Sequence, residues 1–552
     1  MPWIDQHILS LLIATPVVTA LLLALVPGGQ RGILKGLALL GGLAAFVLSL
    51  HLVCHWHEGS DYQFIENVAW IPNLGIRYIV GIDGISLWLI LLTTLLMPIV
   101  LVFSMGSIKE KEKQYYIFML LLEAGMLGAF SALDCFLFYI FWEAMLIPMY
   151  FLIGIYGSKR RIYAAVKFFL FTMVGSVLML LAMIYLYYQA DRSFQLANWM
   201  QLSLSPKTQL ILFSAFALSF AIKVPMFPLH TWLPDAHTEA PTAGSVILAG
   251  VLLKMGTYGL LRFNLALFPD QAKRWAFVFI TLAVIGIIYG ALVAMVQPDV
   301  KRLVAYSSVS HMGFVVLGLF SFTELGMQGA LYQMLNHGVS TGALFLFVGF
   351  IYERRHTRMI SEFGGLAKPM PWFSTLFVIA SLSSIGLPFL NGFVGEFLIL
   401  IGTWTSQIIG HAWIVTMLAA TGVIWAAVYM LWMLQRVVFG PVTNPENERL
   451  FDLNSREIGL LLPLLFLMLF MGVYPRVFLD RSKASVETVQ RRVSPPAGGS
   501  YTTSAGIGSV PQRGSVGSVR IHEPQNPTLP RIGTDPIQAQ RPNSTVVNSK
   551  RE

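Results

Sequence analysis

Four ionisable residues interrupt stretches otherwise built of hydrocarbon. They are Glu143 in FYIFWEAMLIPMY, Lys223 in AFALSFAIKVPMFPLH, Lys254 in SVILAGVLLKMGTYGLL and Glu396 in NGFVGEFLIL. A charged side chain at the centre of a membrane helix costs roughly 2.5–3.5 kcal/mol on the translocon-insertion scale, so several in one chain point to use rather than accident. Burial disfavours the charged form of a carboxylate or an amine, and a nearby opposite charge restores it. A glutamate that approaches and leaves a buried lysine is therefore a switch. With Glu143 close, the Lys223 ammonium is stabilised; with Glu143 withdrawn, Lys223 tends to release a proton, and Lys254 is the natural acceptor through water. Arginine could not do this, because it does not deprotonate. The chemistry on offer is proton movement across a membrane.

Further polar residues lie along the same span: Glu123 in LLLEAGMLGAF, His311 in AYSSVSHMGFV and His337 in LNHGVSTGALF. An imidazole accepts on one nitrogen while donating from the other, which suits a relay. Each histidine alone reads better as packing, and the glutamates and lysines could form a structural interhelical bridge. Taken together, with two lysines on successive helices, they favour a relay. Lys301 and Arg302, after Gln297-Pro298-Asp299, read as an interfacial cytoplasmic anchor. His230, Asp235, His237 and Glu239 have a composition that could hold a metal, yet read better as a polar cytoplasmic mouth.

Positioning these groups takes a membrane-spanning scaffold. The chain has 552 residues, 56% hydrophobic and 12% charged, and a mean hydropathy of +0.67. A soluble protein of this length needs far more polar residues to cover its surface. Runs of about 20 apolar residues recur, each long enough to cross a bilayer as a helix. The expected spans are 8–26, 33–53, 83–104, 114–131, 134–153, 164–188, 208–229, 243–262, 275–296, 303–320, 326–351, 373–404, 412–437 and 458–478, about fourteen in all. The first run has Asp5 before it and no basic residue, so it reads as a retained helix rather than a cleaved signal. Lys and Arg concentrate in alternate loops, among them Lys109, Lys111, Lys113, Lys159, Arg160, Arg161, Arg354, Arg355 and Arg358. Basic short loops stay cytoplasmic, which puts both termini outside.

Two spans are broken, one by Pro225 and Pro228 after Lys223, the other by Gly386, Pro388, Asn391 and Gly392 before Glu396. A break frees backbone groups that need protein or water, so it belongs in a polar interior. Residues 1–110 hold the first three helices. Residues 111–265 and 270–440 then divide into two units of five helices, each broken at its fourth. Five is odd, so the second unit inverts the first, and paired breaks in inverted repeats mark transport pathways. The last span lies in 441–481. The stretch 482–552 is rich in Ser, Pro and Gly and is expected to be disordered; with Arg481 it carries ten basic and four acidic residues, most of the net +9 of the whole chain. The fold class is thus an all-α polytopic membrane protein with two inverted five-helix repeats.

Cys54 and Cys135 are too few for an iron–sulfur cluster or a four-thiolate zinc site, and no Gly-rich loop opens a helix after a strand. No cofactor is expected on this chain. Nothing in its charge pattern suggests nucleic acid.

The stretch IKVPMFPLHTWLPDAHTEAPTAGSVILAGVLLKMGTYGLLR resembles the core of the antiporter-like subunits of respiratory complex I, which is shared with multisubunit cation/proton antiporters. The likeness runs through VQPDVKRLVAYSSVSHMGFV, LNHGVSTGALFLFVG and YPRVFLDR and covers most of residues 80–481. Within that family, FWEAMLIPMYFLIG and the glutamate of NGFVGEFLIL resemble the M-type subunits of NADH:quinone oxidoreductase; sister subunits and antiporters typically place lysine where Glu396 stands. The resemblance implies a half-channel in each unit, with Glu143 and Lys223 as coupling pair, Lys254 as central relay and Glu396 as the release group. It also implies sister membrane subunits as partners, with NADH, FMN, iron–sulfur clusters and quinone in other chains, and a bacterial inner (plasma) membrane. The alternative is a subunit of a multisubunit Na⁺/H⁺ antiporter, and a further rival is a purely structural scaffold. One departure stands out: Phe389-Leu390 is bulkier than expected before Asn391-Gly392 and could narrow a wet path there.

Overall fold

In the computed structural model, residues 2–494 are described; the stretch beyond Ser494, most of the expected tail, lies outside them. Two apolar helices, α1 (Pro2–Leu25) and α2 (Arg31–Cys54), lead into a hairpin of β1 (Gln63–Ile71) and β2 (Ile76–Ile82). The strands pair antiparallel with Gln63 opposite Ile82 and Ile71 opposite Ile76. This corrects the all-α expectation. The hairpin turns through Gly75 at φ +65°, and its strands are too short and too polar to register as a membrane run.

Five helices follow: α3 (Gly84–Ser107), α4 (Glu112–Ser131), the pair α5 (Cys135–Ala144) and α6 (Leu146–Tyr156), and α7 (Arg161–Gln189). Side-chain caps fix their starts. Asp83 accepts from the Ile85 and Ser86 N–H groups, and Asp134 from those of Phe136 and Leu137, satisfying donors a helix start leaves free. The first break separates α8 (Pro206–Lys223) from α9 (Trp232–Glu239); α10 (Thr242–Leu265) follows. Then come α11 (Ala276–Met295), α12 (Val300–Leu319) and α13 (Glu324–Arg355). The second break divides α14 (Pro371–Ser384) from α15 (Asn391–Trp404), and α16 (Ala412–Val437), α17 (Ser455–Val473) and α18 (Arg476–Val493) complete the described chain.

Among the described residues, eleven helices are long and apolar enough to cross a membrane. Their burial sorts them into layers. The most apolar stretches of α10 and α13 are 100% buried and that of α12 is 89% buried, whereas those of α2, α16 and α17 are only 33% buried. The inner helices carry Lys254, His311, His337 and serines that include Ser307, Ser308, Ser310 and Ser340. Lipid solvates hydrocarbon and not these groups, so polar helices take the centre and apolar ones the rim.

The C-terminal boundary also shifts. Residues 482–493 were expected to be disordered, but α18 continues to Val493 and buries Phe478, Ser482, Ser485, Val486, Val489 and Val493. That apolar stripe at helical spacing is what the Ser-rich composition concealed.

Candidate functional site

Both breaks sit beside a charged residue. Lys223 is the last residue of α8, and the freed Ile222 carbonyl accepts from Trp232 Nε1 at 2.9 Å. Gly256 lets α8 approach α10: a side chain there would press on the Val224 nitrogen and the Phe220 carbonyl. The end of α8 therefore lies against the helix that carries Lys254. At the second break Gly386 takes φ +76°, and a Cβ there would lie 3.1 Å from a Glu396 carboxylate oxygen, so any side chain would be strained and crowded. Asn391 closes this break. Its Oδ1 accepts from Ser383 Oγ at 2.5 Å and Ser340 Oγ at 3.3 Å.

Between the breaks runs a chain of buried polar groups. Lys254 Nζ donates to the Ala249 carbonyl and lies 2.6 Å from His337 Nδ1. The His337 and His311 rings meet edge-on with centroids 5.8 Å apart. His311 Nδ1 is 3.0 Å from Glu396 Oε1, which also accepts from Gln333 Nε2 at 3.1 Å. Ser384 Oγ lies 3.4 Å from His311 Nε2. Lys254, His311, His337 and Glu396 are each at most 4% exposed. A cavity of about 10 Å³ lined by His311, Gln333, Asn336, His337, Ser340 and Ser384 touches this row, and polar space of that size suits roughly one water. Four of the residues singled out in sequence thus come together in a single row.

Others stand differently. No ion pair joins Glu143 to Lys223 among the described residues: the Lys223 ammonium lies 5.0 Å from the Trp142 ring centre and 5.8 Å from that of Phe168, while Glu143 Oε1 is buried without a hydrogen-bond partner. The two remain within electrostatic reach. An aromatic face holds the cation where the carboxylate was expected. Glu123 is fully buried on α4, and neither carboxylate oxygen has a partner. No hydrogen bond or ion pair among the described residues links it to the row.

Lys301 is not a surface anchor. It is 3% exposed, its Nζ donates to the Ala240 carbonyl, and it forms part of the wall of a cavity of about 510 Å³ with Lys109, Glu353, His356 and Arg358. The expected polar mouth divides. Asp235 pairs with Lys167 at 2.7 Å and Glu239 accepts from the Arg160 N–H at 2.9 Å, but His237 turns inward, fully buried, and stacks on Phe345 with centroids 4.8 Å apart. Neither of its ring nitrogens has a partner, and it lies within electrostatic reach of both Lys301 and Lys254. Sequence reasoning missed its place beside the row; the signal was a histidine one helical turn from an apolar run, too weak to separate from its polar neighbours. No group of three or more His, Cys, Asp or Glu able to hold a metal occurs among the described residues. Phe389 is 76% exposed and points away from the break, so it does not narrow the polar interior.

Comparison with known proteins bears on this geometry. Residues 132–450 match the family described as NADH:quinone oxidoreductase/Mrp antiporter, and residues 44–127 match NADH-ubiquinone oxidoreductase chain 4, amino terminus. NADH-quinone oxidoreductase subunit M of Rickettsia prowazekii is 45% identical over 455 residues, 82% of this chain and 91% of the relative. The chain belongs to the NADH-quinone oxidoreductase subunit M family. Subunit M of Rhodobacter capsulatus is likewise 45% identical, over 87% of this chain and 96% of its own length, and chain 4 of Marchantia polymorpha is 42% identical over 483 residues. A chain of respiratory complex I from Thermus thermophilus superposes with a TM-score of 0.80 at 33% identity, covering 88% of this chain and 99% of that one. The Mrp complex of Dietzia reaches 0.77 at 20% identity, a likeness of fold. Subunit M is a membrane subunit of complex I, and the row from Lys254 to Glu396 lies at the centre of its fold.

Proposed function

We propose that this chain moves protons across the membrane in NADH-quinone oxidoreductase, through a buried relay driven by electron transfer in other subunits. The observation that carries the reading is the buried row Lys254–His337–His311–Glu396, hydrogen-bonded at its two ends and joined in the middle by ring contact between the imidazoles. A lysine at one end, two imidazoles and a carboxylate at the other can pass a proton along without any group leaving the protein interior.

In this reading the chain crosses the bilayer fourteen times: the eleven long helices, α4, and the broken pairs α8/α9 and α14/α15. Helices α4–α10 and α11–α16 form the two inverted five-span units, with both termini outside a bacterial inner membrane. Protons are taken up at the cavity beside Lys301 and Glu353 and reach Lys254 past His237. Glu143 and Lys223 couple the row to a neighbouring subunit: Glu143 is only half buried, at the rim, where a partner's charge could draw it toward or away from Lys223. Glu396 hands the proton out. NADH, FMN, the iron–sulfur clusters and quinone are carried by partner subunits, with sister antiporter-like subunits and lipid around this chain. Glu396 in place of lysine weighs against an independent Na⁺/H⁺ antiporter.

Lys223→Ala should abolish NADH-driven proton pumping in inverted membrane vesicles, with assembly checked by NADH oxidation with an artificial acceptor. Full pumping by an assembled Lys223→Ala complex would refute the reading.

A further inference from the structure

Arg262 lies two turns beyond Lys254 on α10, toward the hairpin, and is 6% exposed. Its guanidinium is held on three sides. Nη2 donates to Asp83 Oδ1 at 2.6 Å, Nη1 to the Tyr62 hydroxyl at 2.9 Å and Nε to the Tyr258 hydroxyl at 3.3 Å. Tyr258 in turn donates to the Phe130 carbonyl at 3.2 Å and lies 3.3 Å from Ser86 Oγ. Asp83 is committed as well: the same Oδ1 caps α3 through the Ile85 and Ser86 N–H groups at 3.1 Å. One arginine thus joins the loop before β1, the start of α3 and the fully buried helix α10.

Lys254 and Tyr258 are four residues apart within the α-helical stretch Leu253–Gly259 and share a face. Arg262 is four residues further, in the stretch Leu260–Leu265 where the turn widens to a π-helix. Polar groups therefore recur along one face of α10 from the relay lysine toward the hairpin end, in addition to the row leading to Glu396, with no hydrogen bond between Lys254 and Tyr258 among the described residues. The Tyr258, Ser86 and Tyr62 hydroxyls are groups a proton could hop along. Burial holds the Tyr62 phenol protonated well above its ordinary range. A second polar route from Lys254 would bypass His337, His311 and Glu396.

A guanidinium ends that route. It carries a permanent charge, accepts no proton at working pH, and repels an approaching cation in a narrow, dry passage. Stability alone is a weak account of it, since a buried ion pair can often be replaced by apolar residues at no cost. We infer that Arg262 is a proton barrier, which closes the hairpin end of the Lys254 column and directs the proton of Lys254 to His337. The inference rests on the relay proposed above.

The test uses the whole complex in proteoliposomes. A potassium diffusion potential is imposed without NADH, and inward proton leak is read with an entrapped pH dye. Arg262→Gln should raise the leak severalfold, and Arg262→Lys, which keeps the charge, should stay near wild type. The double variant Arg262→Gln/Lys254→Met should return to the wild-type leak, because the shortcut runs through Lys254. If Arg262→Gln does not assemble, Arg262→Met, of similar volume, serves as the neutral variant. An assembled neutral variant as tight as wild type would overturn the barrier. So would a leak equal in the Lys and Gln variants, which marks lost packing, or one that persists without Lys254. NADH-driven pumping that survives Lys254→Met alone would instead remove the relay on which the inference stands, so the two failures are distinguishable.

Discussion

At the scale of single residues, the structure separates groups that look alike in sequence. Glu396 and Glu123 are both carboxylates in apolar helices, yet Glu396 touches His311 and Gln333 while Glu123 has no polar partner. We therefore expect Glu123→Gln to leave NADH-driven pumping near wild type, read by quinacrine fluorescence in vesicles; a loss comparable to that of Glu396→Gln would place Glu123 in the path. His311 bridges the carboxylate and the second imidazole, and proton transfer by a positioned side chain is worth about 10²–10⁴-fold. His311→Ala should accordingly cut the pumping rate by at least about tenfold, with Lys254 still seated on the Ala249 carbonyl. The identities of Glu143, Lys223, Lys254 and Glu396 were legible as charges in hydrocarbon. Their pairing was not, because an apolar context says that a charge needs a partner but not which one: Trp142 rather than Glu143 faces the Lys223 ammonium, and His237 and Lys301 read as surface groups until burial turned them inward.

At the scale of elements, the two breaks do the positioning. Both were legible, since proline and glycine beside a charge mark backbone that cannot run on as helix. The hairpin and α18 were not: strands of seven to nine residues give little periodic signal, and the apolar stripe of α18 lies within a Ser- and Arg-rich stretch. Two substitutions test the breaks. Gly386→Ala places a side chain at φ +76° against Glu396; it should cost on the order of 1 kcal/mol of stability, seen as a lower thermal midpoint of the purified complex, and slow pumping more than it slows assembly. Gly256→Leu pushes α8 off α10 at the Val224 nitrogen and the Phe220 carbonyl and should sharply lower the amount of assembled complex, measured by native gel. Wild-type assembly of Gly256→Leu would mean that the close approach of these helices is dispensable.

At the scale of the whole molecule, a polar centre inside an apolar rim follows from lipid being a poor solvent for every group of the row. The helices whose apolar stretches are 89–100% buried carry Lys254, His311 and His337. In the proposed relay the same arrangement makes the centre a path, because groups shielded from bulk water have one another as proton partners. The most direct test is NADH-driven proton uptake into vesicles containing Glu396→Gln complex, assembled as judged by NADH oxidation with an artificial acceptor, in the presence and absence of sodium. The account predicts that pumping falls to a small fraction of wild type and that sodium makes no difference. Undiminished pumping by the assembled Glu396→Gln complex would contradict it.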